Sequence, residues 1–264
     1  MSSEGANQRS LSLWLWSLIL VVLGVLLLLH NYLLLDFDVT RLWPLLLVVL
    51  GVQVLARGDL GFSWASQTFG ITRGSVEAAT LRANGGELDV RLSLLRRKGR
   101  LIAGRYTARS RPDLQVEDNR AILTMLRGNT WLLSLADWEL ALAGDLPWKL
   151  LLSTYLGQIE VDMRGLIIEQ AHITSGFGDI RMVGPDTPAG HVSVRSTFGD
   201  IYLSIPEHME AAVTLRGGPL FGLHLQSDRW QPREGNRYIT PGYEGAIEPL
   251  TFTVGGTFGD LILS

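Results

Sequence analysis

Two long apolar blocks, Leu11 to Leu29 and Leu42 to Ala56, constrain this chain most, because whatever follows must fold on the side of a membrane where they leave it. The first block has no charged residue, and its nineteen helical positions at about 1.5 Å each reach about 28 Å, close to a hydrocarbon core of ~30 Å. It reads as a spanning helix. The second block is shorter and, counted from Val39, admits Arg41 near its start, so it reaches about 22–27 Å and spans only marginally. Pro44 suits its first turn, where a missing N–H costs little, and Asp38 or Thr40 can cap upstream.

The flanks orient this hairpin. Trp14 and Trp16 at one end, and Tyr32 and Trp43 near the connector, sit where amphipathic rings prefer the headgroup zone. Counting Lys and Arg alone, Arg9 and Arg57 lie on one side and Arg41 on the other, which favours a cytoplasmic tail and a cytoplasmic C-terminal domain if both helices span. A re-entrant second block would put that domain outside. The start is not strongly basic, and His30-Asn31-Tyr32 is no small-residue cleavage site, so the first helix is expected to stay as an anchor.

Hydrophobic residues make up 47% of the 264 positions, an excess concentrated in the first 57. The rest has an ordinary mixture, enough for one core or one elongated repeat domain. A net charge of −3 with no basic stripe gives no case for nucleic acid. Arg96-Arg97-Lys98 is the one dense basic run and reads as a solvated turn, with contact to anionic headgroups as the alternative. With no cysteine there is no disulfide or thiol chemistry. The five histidines show no metal-ligand spacing, Gly61-Phe62-Ser63-Trp64-Ala65 fails as a nucleophile elbow, and no phosphate loop occurs. No enzyme and no cofactor are expected.

Beyond the hairpin no helix is evident. Apolar positions alternate in short runs with one face expected in a core: Leu88, Val90, Leu92; Leu114, Val116; Ile122, Thr124, Leu126; and onward to Phe252 and Val254. A template of Gly, polar, apolar, variable, apolar recurs at Gly86, Gly157, Gly178, Gly199 and Gly259, with Phe221 to Leu225 as a degenerate copy lacking the acid. Gly157, Gly178 and Gly199 stand 21 residues apart, a spacing fit for stacked β units. The glycines, with Asp179, Asp200 and Asp260, are expected to form tight corners, and Phe177, Phe198 and Phe258 to stack as an aromatic ladder along one edge. Calcium-binding β-helix repeats recur about every nine residues, which argues against calcium here. Trp131, Trp138 and Trp148 read as core filling or strand-edge cover, with a binding patch as the alternative.

The run from Asn31 to Asp38, followed by Arg41-Leu42-Trp43-Pro44 and the apolar stretch to Gly51, resembles the transmembrane module of LiaF-type, cell-wall-active antibiotic response proteins. The region from about Trp138 to Ser264 looks like the toastrack, or adhesin-like, β-repeat domain that accompanies such modules. The resemblance implies a non-enzymatic bacterial inner-membrane protein that modulates a sensor kinase or another envelope-stress component, and it supplies no catalytic residues. The expected organisation is a membrane-anchored all-β protein: a disordered tail over 1–10, a two-helix transmembrane hairpin over 11–57, a linker over 58–78 that contributes a first strand, and one β-solenoid-like domain over 79–264. Partners are the lipid bilayer and either a protein or a second copy. A membrane-attached scaffold and an extracytoplasmic adhesin are the alternatives.

Overall fold

The computed structural model describes residues 66–107, 110–127 and 137–264. The expected tail and hairpin, Trp14, Trp16, Tyr32, Trp43 and Trp131 lie outside them. Apart from one 3-10 turn at Tyr243–Gly245, every regular element described is a strand.

The 21-residue spacing is one coil of the chain. Ile159, Ile180 and Ile201 are cross-strand neighbours in parallel register, and Leu261 follows Ile201. Each coil supplies one strand to each of two layers, and at Gly157, Gly178, Gly199 and Gly259 a glycine corner joins them. In spatial order the rungs are β6 (Arg120–Leu126) with β7 (Asp137–Leu142), β2 (Ala78–Asn84) with β3 (Asp89–Leu94), β8 (Pro147–Leu156) with β9 (Ile159–Asp162), and β10 (Ile167–Phe177) with β11 (Ile180–Val183). Next come β12 (Val192–Phe198) with β13 (Ile201–Ser204), then β18 (Leu250–Leu263), which serves both layers, and β14 (Ala211–Leu215) with β15 (Leu220–Leu225).

Spatial order departs from chain order at both ends. The second rung in sequence, β6 with β7, lies outside the first, and the last strand, β18, lies inside the rung before it. The chain's first and last rungs are thereby covered on both sides. Antiparallel strands finish the layers: β5 (Asp113–Glu117) on β6, and β4 (Arg100–Thr107) then β1 (Ser66–Thr72) on β7. At the far end β17 (Arg237–Ile239) and β16 (Gln231–Arg233) finish the β14 layer.

Alternate residues of both layers meet in a continuous core, with Leu81, Leu150, Ile173, Ile180, Val254 and Leu261 all fully enclosed. Trp138 and Trp148 fill the first rungs, and neither indole N–H is orphaned: Trp138 Nε1 donates to Ser110 Oγ at 2.9 Å and Trp148 Nε1 to the Ala143 carbonyl at 2.7 Å. Two expected faces are corrected. In β6 the inward set is Ala121, Leu123 and Met125, so Ile122, Thr124 and Leu126 face away from the core. The cause is non-local: β6 aligns Leu123 with Leu81 of β2, and this places the odd-numbered residues of β6 over the core. In β5, an edge strand, Val116 is exposed.

Candidate functional site

The corner between the layers is the most elaborated feature of the surface. At Gly178 and Gly199 φ is +132° and +134°, and an added Cβ would strike the carbonyl oxygen of the glycine one rung before, Gly157 and Gly178 respectively. Only glycine lets successive rungs close to strand spacing here. Gly157 and Gly259 make the same approach, Gly157 onto Leu88 and Gly259 onto Gly199.

One residue further on, carboxylates stitch the corners together. Asp179 Oδ1 accepts the backbone N–H of Asp200 at 3.0 Å, and Asp200 Oδ1 accepts that of Asp260 at 2.9 Å. Asp89 Oδ1 accepts the N–H of Gln158 at 2.7 Å. The first copy of the template therefore needs a correction of two residues: Leu88-Asp89-Val90, and not Gly86-Glu87-Leu88, is in register with Gly157-Gln158-Ile159. Gly86 has φ +59° and belongs to a separate turn, in which its N–H is held by Asn84 Oδ1. The signal was present, since Asp89-Val90-Arg91-Leu92 reads like Asp179-Ile180-Arg181-Met182. Behind the acids, Thr154 and Ser175 are buried and donate to the carbonyls of Gly157 and Gly178, and Ser196 is buried without a partner.

On the outer side of the same corner the rings stack. Phe177 and Phe198 have centroids 4.7 Å apart and planes 3° from parallel, and Phe198 and Phe258 repeat this at 4.6 Å and 5°. The separation is set by the strand spacing. Tyr155, which sequence reasoning missed, meets Phe177 edge-on at 5.8 Å. Leu220 of β15 lies beside Phe258 in register and extends the row by a further rung. The three phenylalanines are each about 40% exposed, Tyr155 66% and Leu220 62%, so the row forms an apolar ridge that presents ring edges to solvent.

The outer face of the second layer is different. Arg105, Glu139, Arg91 and Glu160 alternate in sign across four strands, with Arg105–Glu139 at 2.8 Å, Arg91–Glu160 at 3.4 Å and Arg91–Glu139 at 3.8 Å. Glu139's hydrogen bond and charge hold the Arg105 guanidinium above its ordinary range. Arg181 continues the row over the Tyr202 ring at 5.3 Å. Beside these side chains runs an open groove of about 600 Å³ floored by Gly104, Ala103 and Ala141. The pairing is internal, made between cross-strand neighbours. Among the described residues no three metal-ligating side chains cluster. Arg96, Arg97 and Lys98 occupy the exposed turn between β3 and β4.

Residues 14–55 match the family model described as the LiaI-LiaF-like transmembrane region. The β domain has the fold of a solved "putative cell adhesion protein" from Clostridium sporogenes: 13% identity, covering 75% of this chain and 97% of that one, with a TM-score of 0.67. A "putative adhesin" from Bacteroides fragilis aligns over the same shares at 10% identity with a TM-score of 0.32. No curated protein matches the sequence. The chain thus joins a LiaI-LiaF-like transmembrane region to an all-β, solenoid-like domain.

Proposed function

We propose that this is a non-enzymatic bacterial membrane protein, a regulator or sensor in the cell-envelope stress response that acts through protein contacts of its β-repeat domain. The observation that carries the reading is the ridge of Tyr155, Phe177, Phe198, Phe258 and Leu220, a rigid apolar strip on a chain that also bears a membrane region. Solvent gains nothing from such a strip, and a partner surface does. In this reading the anchor is a two-helix hairpin in the inner membrane and the domain is cytoplasmic, where it reaches a sensor kinase or another stress component. Crosslinking in native membranes followed by capture of the chain tests it: recovery of such a partner or of a second copy is expected, and recovery of the chain alone contradicts it.

The alternative, a membrane-attached scaffold or an extracytoplasmic adhesin-like protein, draws on the fold shared with the Clostridium sporogenes protein. A reporter fused after Ser264 and active on one side of the membrane separates the two, since periplasmic activity favours the adhesin.

A further inference from the structure

The two ends of the stack are unlike each other. At the β15 end the first layer runs two strands past the last rung, as β17 and β16, whereas the second layer stops at β15. At the other end the second layer runs two strands past the first rung, as β4 and β1, and the first layer only one, β5. Each end is a step, and the steps have opposite sense. Among the described residues no strand pairs the outer edge of β15 or of β1.

We infer that copies of this chain join head to tail, with β1 of one copy pairing with β15 of the next inside the notch beneath β17 and β16. This deepens the self-association arm of the proposed function and rests on it. A head-to-tail joint puts three strands in one layer (β17, β16, β5) against two in the other (β4, β1), so the steps nest to within one strand. Joining two β15 ends with like layers in line would instead oppose four overhanging strands to none, and joining them with the layers exchanged would seat β15 against β16, whose Pro232 and Arg233 guard that edge. The edges agree chemically. Neither Ser66–Thr72 nor Leu220–Leu225 carries a Lys, Arg, Asp, Glu or proline to block pairing, while in the other layer β5 brings Asp113 and Glu117 toward Arg233 of β16. Direction fits too, since β1 and β15 both run with the parallel strands of their layer. Leu225, 42% exposed at the open end, gains a neighbour. Because each such heterologous joint continues the stack along its own axis, it generates an open row of copies. Anchoring favours it, because at most ten residues (56–65) separate the matched membrane region from β1, a reach of about 33–36 Å that confines the copies to one plane.

The chain has no cysteine, which makes the test clean. Thr68 and His224 lie at the two ends of one outward row, Thr68 beside Arg105 and His224 beside Ile262. In the full chain in native membranes, Thr68→Cys with His224→Cys is expected to give a ladder of dimers, trimers and higher species on mild oxidation, and either substitution alone none. Co-expressing the two single variants is expected to give dimers only, a result that does not depend on the double variant folding. Monomers throughout overturn the inference, as does a dimer from His224→Cys alone, which means like-end pairing. An adduct of His224→Cys with a different protein overturns it too, but leaves the proposed protein-contact function standing.

Discussion

Asp200 Oδ1 accepts the backbone N–H of Asp260 at 2.9 Å, although sixty residues separate the two in the chain. The bond joins β13's corner to β18's across the insertion that holds β14 to β17, so it reports whether the last strand has reached its place. Replacing Asp200 with Ala leaves a half-buried N–H without an acceptor, a loss of about 1–2 kcal/mol, or about 3–6 °C in Tm for a domain of this size. Asp200→Asn keeps the acceptor and is expected within about 0.5 kcal/mol of the parent. Thermal unfolding followed by tryptophan fluorescence checks both.

At Gly178 an added methyl meets the Gly157 carbonyl at a φ that side chains avoid, whereas at Gly235, with φ +74°, it meets nothing within 4 Å. Gly178→Ala should therefore cost more than about 2 kcal/mol, and Gly235→Ala about 1, set by backbone strain alone. Urea midpoints rank the two. Equal values would show that the rung contact does not constrain the corner.

The two serines buried behind the corner, Ser175 and Ser196, should respond in opposite ways. Ser175 Oγ donates to the Gly178 carbonyl at 3.1 Å, so Ser175→Ala is expected to cost about 1 kcal/mol. Ser196 is fully enclosed and its hydroxyl has no partner, so Ser196→Ala is expected to be neutral or mildly stabilising. Denaturation curves of the two variants decide it.

The corner glycines and the phenylalanines beside them were legible because Phe-Gly-Asp recurs as one contiguous run at each of three corners, so the rung-to-rung contacts of ring, glycine and carboxylate recur with it. What the sequence did not disclose was non-local. Ile122, Thr124 and Leu126 alternate as convincingly as Ala121, Leu123 and Met125, and only alignment against Leu81 on β2 chooses between them. The outward placement of β6 and β14 is likewise decided by which rung covers which. The two-residue error at Gly86 arose from weighting the glycine above the acid, although Asp89 makes the corner bond.

Acid should release one small contribution. The Asp162 carboxyl is held below its ordinary value of 3.8, first by the side-chain hydrogen bond from Arg164 at 2.6 Å, with burial opposing. A depressed carboxyl stabilises the fold above its unfolded value, at about pH 4 and higher, and loses that contribution as pH falls through the folded one. Solvent screens the pair, so the contribution is small. Arg164→Ala should lower the urea midpoint slightly at about pH 6, and the difference from the parent should shrink as pH falls below about 4.

The most direct measurement places a photo-reactive phenylalanine analogue at Phe198, on the ridge, and separately at Gln170, on the outer face of β10, in the full chain in native membranes. The expected result is a discrete adduct with one protein, or with a second copy, from position 198 and none from 170. No adduct at Phe198, or the same adducts from both positions, would contradict the ridge as the contact surface.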